Sequence, residues 1–180
     1  MLQNFESLVL IWLGIGFITF ITLLKIPAPY GKFSKTNWGP MIPSKLGWIV
    51  MEIISPLALL YFFLNGNIEK TPTNITFISL WTLHYFNRSV IYPLRQNNPA
   101  QMPLIIAVLA FLFNVMNGYI NGTYFGSIQE YSAEYMSNWN FIVGVCLFIF
   151  GAYINIKSDN ILLSLRSKSG EYKIPEGFMF

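Results

Sequence analysis

The chain is 180 residues long, 54% hydrophobic and 11% charged, with a formal net charge of +3. A charged fraction below half of the roughly 25% usual in soluble domains marks an integral membrane protein, and its few, dispersed basic residues give no footprint for a nucleic-acid partner. Cys146 is the single cysteine, which excludes an internal disulfide or a cysteine metal cluster, and no His, Cys or carboxylate grouping has metal-ligand spacing.

Five apolar runs are each long enough to cross a hydrocarbon core, which takes about 20 helical residues: roughly 5–24, 46–64, 74–92, 103–121 and 139–157. They predict an all-α, multi-pass helical bundle with residues 1–180 as a single transmembrane domain. The first run is too long for a signal-peptide core and reads as a retained span. In it Gly14-x-Gly16 suggests a close helix contact. The first connection carries Lys25, Lys32, Lys35 and Lys45 without an acid, and the third carries Arg95 just after Arg88. The second has one charge of each sign, Glu69 and Lys70, and the fourth has Glu130 and Glu134 without a base. An excess of basic residues marks cytoplasmic loops, so the N-terminus is expected outside and the C-terminal tail inside. Asn74-Ile-Thr76 and Asn121-Gly-Thr123 form glycosylation-type triplets on the outer side.

The connection from Lys25 to Lys45 holds Pro27, Pro29, Pro40 and Pro43 together with Tyr30, Phe33 and Trp38. Its prolines preclude a helix, and its aromatics argue against disorder. Two readings stay open: rings lying among headgroups, or a lid over a cytoplasmic-side pocket.

Polar residues inside the spans are the candidate site. Glu52 is six residues into the second span, about 9 Å deep at 1.5 Å per residue. In the third, Trp81-Thr-Leu-His84-Tyr85-Phe-Asn87-Arg88 brings His84, Tyr85 and Arg88 to one face, and Tyr85 lies about 10 Å from the end at Tyr92. Glu52 and Tyr85 therefore meet in height and are expected to face each other. The structural alternative pairs Glu52 with Arg88 or His84, and His84 reads as an orienting partner rather than an acid. Asn114 and Asn117 share a face of the fourth span, and with Asn155 they outline a cavity open to the cytoplasm. Beyond the fifth span Asn155, Asp159 and Arg166 fall near one helical stripe. The plainer reading of Asp159 is a weak surface pair with Lys157 or Arg166.

These residues resemble the steroid 5α-reductase family of membrane NADPH-dependent reductases. The resemblance runs through Ala28-Pro29-Tyr30-Gly31-Lys32, Trp48-x-x-Met51-Glu52, Leu83-His84-Tyr85-x-x-Arg88-x-x-x-Tyr92-Pro93 and Phe113-x-x-x-Asn117-Gly118. It continues in Ile154-Asn155-Ile-x-Ser158-Asp159-x-Ile161-Leu162-x-x-Leu165-Arg166 and Gly170-Glu171-Tyr172-Lys173-Ile174-Pro175-x-Gly177.

The resemblance implies NADPH bound from the cytoplasmic side, with Asn155, Asp159, Arg166 and Tyr172 among its holders and Tyr30, Trp48, Arg88 and Asn117 lining the cofactor site. Asn114 and His84 are expected in the substrate pocket, and Glu52 and Tyr85 match the pair that hydrogen-bonds the substrate carbonyl. The implied substrate is a lipophilic enone such as a 3-oxo-Δ4-steroid, met in the lipid of a bacterial inner membrane or the endoplasmic reticulum. Met51 stands where steroid-active relatives have glutamine, and Arg95 is the base available near the third loop. Relatives continue beyond Phe180 with two further spans, so seven are expected in full and the chain reads as C-terminally incomplete. The rival chemistries are an enoyl-CoA reductase, an isoprenylcysteine methyltransferase-like enzyme and a non-catalytic scaffold.

Overall fold

The computed structural model describes residues 2–29, 33, 37–96, 101–166 and 177–178, with Arg166 described by its backbone alone. Two short segments ending in proline, Met41–Pro43 (β1) and Gln101–Pro103 (β2), pair antiparallel with Ile42 opposite Met102. Each proline then opens a helix, Ser44–Leu64 (α2) after Pro43 and Leu104–Thr123 (α4) after Pro103. The ladder therefore sets the starts of α2 and α4 side by side, and the two helices run parallel. The Leu104 N–H donates to the Pro40 carbonyl at 2.8 Å and closes this junction.

What holds α2 against α4 is a glycine stripe, Gly118, Gly122 and Gly126, spaced by four along one face. A methyl group at Gly118 would lie 2.6 Å from the Ala58 Cβ and 2.8 Å from the Ser55 carbonyl oxygen. At Gly122 it would lie 2.6 Å from the Leu59 oxygen. Lipid offers no hydrophobic drive between helices, so close backbone approach and dispersion have to supply the association. The close contact expected of Gly14 and Gly16 is not found among the described residues, where a Cβ at either meets nothing within 4 Å. Their helix, Leu2–Leu23 (α1), buries none of its residues and touches the bundle through Trp12 stacked 5.9 Å from Phe113.

Helix α3, Pro72–Phe86, starts where Thr71 accepts a hydrogen bond from the Asn74 N–H at 3.3 Å and Pro72 fits the first turn. It runs on through a π-helical stretch, Asn87–Ile91, into a last turn, Tyr92–Leu94. Pro93 lacks the N–H that an α-helix would send to the Ser89 carbonyl, and the Tyr92 N–H reaches back five residues to Asn87 instead. A π stretch, Tyr124–Ile128, likewise extends α4, and after a 3₁₀ turn, Ala133–Ser137, comes the long α5, Trp139–Arg166.

Five long helical rods thus occupy the five predicted runs. Leu2–Leu23, Ser44–Leu64, Leu104–Ile128 and Trp139–Leu165 are long and apolar enough to cross a membrane. The third rod is not among them, because Thr73, Asn74, His84, Asn87 and Arg88 dilute its apolarity. The molecule is a multi-pass helical membrane protein whose large apolar side chains mostly face outward, as lipid requires. Inside, Met51, Met102 and Ala107 form one small core near the strands, and Leu59, Phe63 and Ile78 form another further along α2. Between them, at the level of Ser55, the packing turns polar.

Neither glycosylation-type triplet is placed to accept a glycan. Asn74 is fully buried, donating to the Phe125 and Gln129 carbonyls at 3.0 and 3.2 Å and accepting from the Tyr131 N–H at 3.3 Å. Asn121 is inside α4 and donates to the Asn117 carbonyl at 2.9 Å.

Candidate active site

Three helices bring the polar residues together. On α2, Glu52 is half-buried one turn before Ser55 and Pro56, and Pro56 has no N–H to give the Glu52 carbonyl. On α3, the Tyr85 hydroxyl donates to Asn114 Oδ1 on α4 at 3.3 Å. The Asn114 amide is fixed from the other side, its Nδ2 donating to the Met51 carbonyl at 2.7 Å. The side chains of Ser55 and Asn117 also lie against the Tyr85 hydroxyl, within the electrostatic reach of Glu52 and Arg88. Tyr85, Asn114, Asn117 and Ser55 therefore form one cluster, with Glu52 within its electrostatic reach.

Arg88 stands one turn beyond Tyr85, on the π-helical stretch toward the strand pair. Its Nη1 contacts Asp159 Oδ2 on α5 at 3.3 Å, and both side chains are largely shielded. Its guanidinium lies 4.9 Å from the Trp48 ring and 5.0 Å from that of Tyr92. The Trp48 indole donates back to the Arg88 carbonyl at 3.1 Å. Asp159 thus makes a shielded contact across the bundle, while its considered pairing with Arg166 falls on a side chain outside the described residues. Of the two structural partners considered for Glu52, Arg88 is engaged by Asp159, and Glu52 makes no ion pair with Arg88 or His84 among the described residues.

His84 packs its ring edge-on to Tyr85 at 5.3 Å and to Phe148 at 6.5 Å. Asn155 lies one turn before Asp159 on α5 and is partly buried. Beyond it Arg95 Nη2 donates to Asn160 Oδ1. Tyr30 and Tyr172, and the side chain of Arg166, lie outside the described residues. Among those described, no group of three or more His, Cys, Asp or Glu residues could hold a metal ion.

Two residues of the cluster escape the sequence reading. The Trp81 indole donates to Ser55 Oγ at 3.3 Å, and its ring stacks on Tyr85 at 5.4 Å. Helical spacing holds the signal, Ser55 three residues after Glu52 and Trp81 four before Tyr85, but a serine and a tryptophan are ordinary in a span. Trp81 also walls a separate apolar cavity of about 370 Å³ with Phe77, Phe125, Phe141 and Phe148, which neither Glu52 nor Tyr85 lines.

A family model described as 3-oxo-5-alpha-steroid 4-dehydrogenase matches residues 100–180. Steroid 5-alpha-reductase DET2 of Gossypium hirsutum is 38% identical over 170 residues, 90% of this chain and 65% of that protein. The protein of the same name from Solanum lycopersicum is 34% identical over 98% of this chain and 70% of its own length. The 3-oxo-5-alpha-steroid 4-dehydrogenase 1 of Bos taurus is 31% identical over 97% and 70%. The chain belongs to the steroid 5-alpha-reductase family. It spans 65% of the length of the Gossypium relative. The family match over residues 100–180 takes in Asn114, Asn117, Asn155 and Asp159, while Glu52, Tyr85 and Arg88 fall before it.

Proposed function

We propose that this protein is a membrane oxidoreductase that saturates the carbon–carbon double bond of a lipophilic α,β-unsaturated ketone, a 3-oxo-Δ4-steroid, with NADPH as the reductant. The observation that carries the reading is the Tyr85 hydroxyl held by Asn114, with Glu52 within electrostatic reach, in a polar cluster among otherwise apolar helices. The relatives' names, steroid 5-alpha-reductase and 3-oxo-5-alpha-steroid 4-dehydrogenase, supply the substrate class. They lend nothing to an enoyl thioester or a methyl-transfer reaction.

The residues fit the cofactor chemically. Arg88 and Arg95 offer guanidinium groups for phosphate, Asp159 accepts from hydroxyl or amide donors, Asn155 and Asn117 do both, and Trp48 and Tyr92 give flat surfaces. Arg166, Tyr30 and Tyr172 complete the proposed set. When bound, reduced nicotinamide supplies a hydride to the β-carbon of the enone. Negative charge then gathers on the ketone oxygen, and the Tyr85 phenol is the donor that meets it. A protonated Glu52 adds a second donor or supports Tyr85. Asn114 and His84 shape the pocket at the tyrosine, and the apolar helices exclude water. We assign residues 1–180 to a single reductase unit, its cofactor side facing the cytoplasm of a bacterial inner membrane or endoplasmic reticulum.

The test is oxidation of NADPH by the protein in nanodiscs with a 3-oxo-Δ4-steroid, the product identified by mass. Tyr85→Phe and Glu52→Gln are each expected to lower kcat by about 10²-fold or more, as loss of an oxyanion donor does, while NADPH still binds. Turnover unchanged in both variants would remove these residues from the chemistry.

A further inference from the structure

The hydrogen bonds around Tyr85 have a direction. An indole N–H donates and never accepts, and a backbone carbonyl accepts and never donates. Trp81 therefore fixes one end of the chain and the Met51 carbonyl fixes the other. The indole donates to Ser55 Oγ at 3.3 Å. Ser55 already accepts there, which leaves its own proton for the Tyr85 oxygen that it lies against. At the far end Asn114 Nδ2 donates to the Met51 carbonyl at 2.7 Å, so Asn114 must present its oxygen to Tyr85, which donates at 3.3 Å. Three hydrogen bonds run the same way, Trp81 to Ser55 and then Tyr85 to Asn114 to Met51, and Ser55 lies against the Tyr85 oxygen between them. Ser55 is fully buried and Asn114 is 5% exposed, so water does not compete along most of this path.

We infer that Ser55, with Trp81 behind it, is a positioning residue that donates into the Tyr85 oxygen, and that Asn114 Oδ1 holds the Tyr85 proton at the place a substrate carbonyl takes. The inference rests on the proposed reductase reading for its consequence in turnover, but the chain itself does not depend on it. When an enone oxygen displaces Asn114 as acceptor, the Tyr85 proton moves toward that oxygen. The hydrogen bond from Ser55 then meets the charge left on the phenolic oxygen. Linked hydrogen bonds polarise one another, so the indole strengthens the serine's donation. The proton balance closes within the pair: the O–H bond lengthens at Tyr85 as a bond to hydrogen forms at the ketone oxygen.

Two substitutions isolate the effect. Ser55→Ala removes the donor without adding bulk, and Trp81→Phe keeps a ring on Tyr85 but removes the N–H. The direct readout is the ¹³C resonance of the Tyr85 ring carbon bearing the hydroxyl, with labelled tyrosine placed at position 85 alone in the full chain in nanodiscs. Both substitutions are expected to shift it, and Ser55→Thr, which restores a hydroxyl, is expected to bring it back. In turnover each lowers kcat about tenfold with KM nearly unchanged. In the Tyr85→Phe background neither changes kcat further. An unmoved resonance in both Ser55→Ala and Trp81→Phe overturns the inference whatever the turnover. A moved resonance with a wild-type chain that turns over no enone leaves the hydrogen-bond chain standing and fails the reductase reading instead. Full turnover in Ser55→Ala, beside collapse in Tyr85→Phe, overturns the positioning role while the reductase reading survives.

Discussion

Arg88 is held from three sides, by Asp159, Trp48 and Tyr92, and two of these partners are far from it in sequence. It sits on the π-helical stretch, its guanidinium rests on two aromatic rings, and Asp159 reaches it from a helix 71 residues away in sequence. Removing one charge of a shielded pair leaves the other without its partner, which costs more than the pair contributes. Asp159→Asn is therefore expected to lower stability by roughly 1.5–3 kcal/mol, the range for hydrogen bonds to charged groups. Thermal unfolding in detergent measures it, and an unchanged midpoint would show the contact to be idle. Arg88→Lys keeps the charge but loses the flat face that lies on Trp48 and Tyr92. It is expected to destabilise by about 1 kcal/mol through the lost stacking and to weaken NADPH binding, read by fluorescence titration.

At the scale of elements, two glycine patterns of the same composition behave oppositely. Gly122→Val drives a side chain into the Leu59 carbonyl, so α2 and α4 must part, at a cost of about 1–3 kcal/mol or more. Gly14→Val meets open space and is expected to leave the unfolding midpoint within about 0.5 kcal/mol of wild type. Equal effects from the two would mean that the α2–α4 seam is not what holds the bundle. The loop after α4 makes a different prediction. Burial first, then the neighbouring hydroxyls and charges of Tyr124 and Tyr135, push Tyr131 up to about 12. In the unfolded chain a tyrosine ionises near pH ~10. The folded state thus binds the proton more tightly, and stability falls as pH rises above that value toward about 12. Tyr131→Phe is expected to flatten this alkaline loss, followed by unfolding midpoints across the window. The helices, and the gathering of Tyr85 with Asn114 and Asn117, are legible in the sequence because polar groups in apolar runs have few places to go and depth follows from the rise per residue. The strands are not, since three residues ending in proline carry no alternation. Nor is the Arg88–Asp159 contact, which depends on how α3 and α5 pack rather than on spacing along either. The stripe at Gly118, Gly122 and Gly126 is written in the sequence at helical spacing, but which glycines face a neighbour is decided by the strand pair that aligns α2 with α4.

At the scale of the whole molecule, topology follows from that same pairing. Because β1 and β2 set the starts of α2 and α4 together, those helices enter the bilayer from one side, and α3 must return between them. The charge pattern predicts which side: Lys25 lies before the ladder in a connection with four lysines and no acid, whereas Glu130 lies in the connection between α4 and α5 with no base. The proposed cofactor mouth, at Arg88, Arg95 and Asp159, lies at the ladder's end of the bundle, so its access to cytoplasmic NADPH depends on this orientation. Cys146 is the single cysteine and is replaced first, as Cys146→Ser. Single reporters are then placed at exposed positions, Lys25→Cys and Glu130→Cys, in intact cells. A membrane-impermeant maleimide is expected to label position 130 without lysis and position 25 only after it. The reverse pattern would turn the bundle over and place the mouth away from the cytoplasm. Labelling of both positions from one side would contradict the parallel run of α2 and α4 between them.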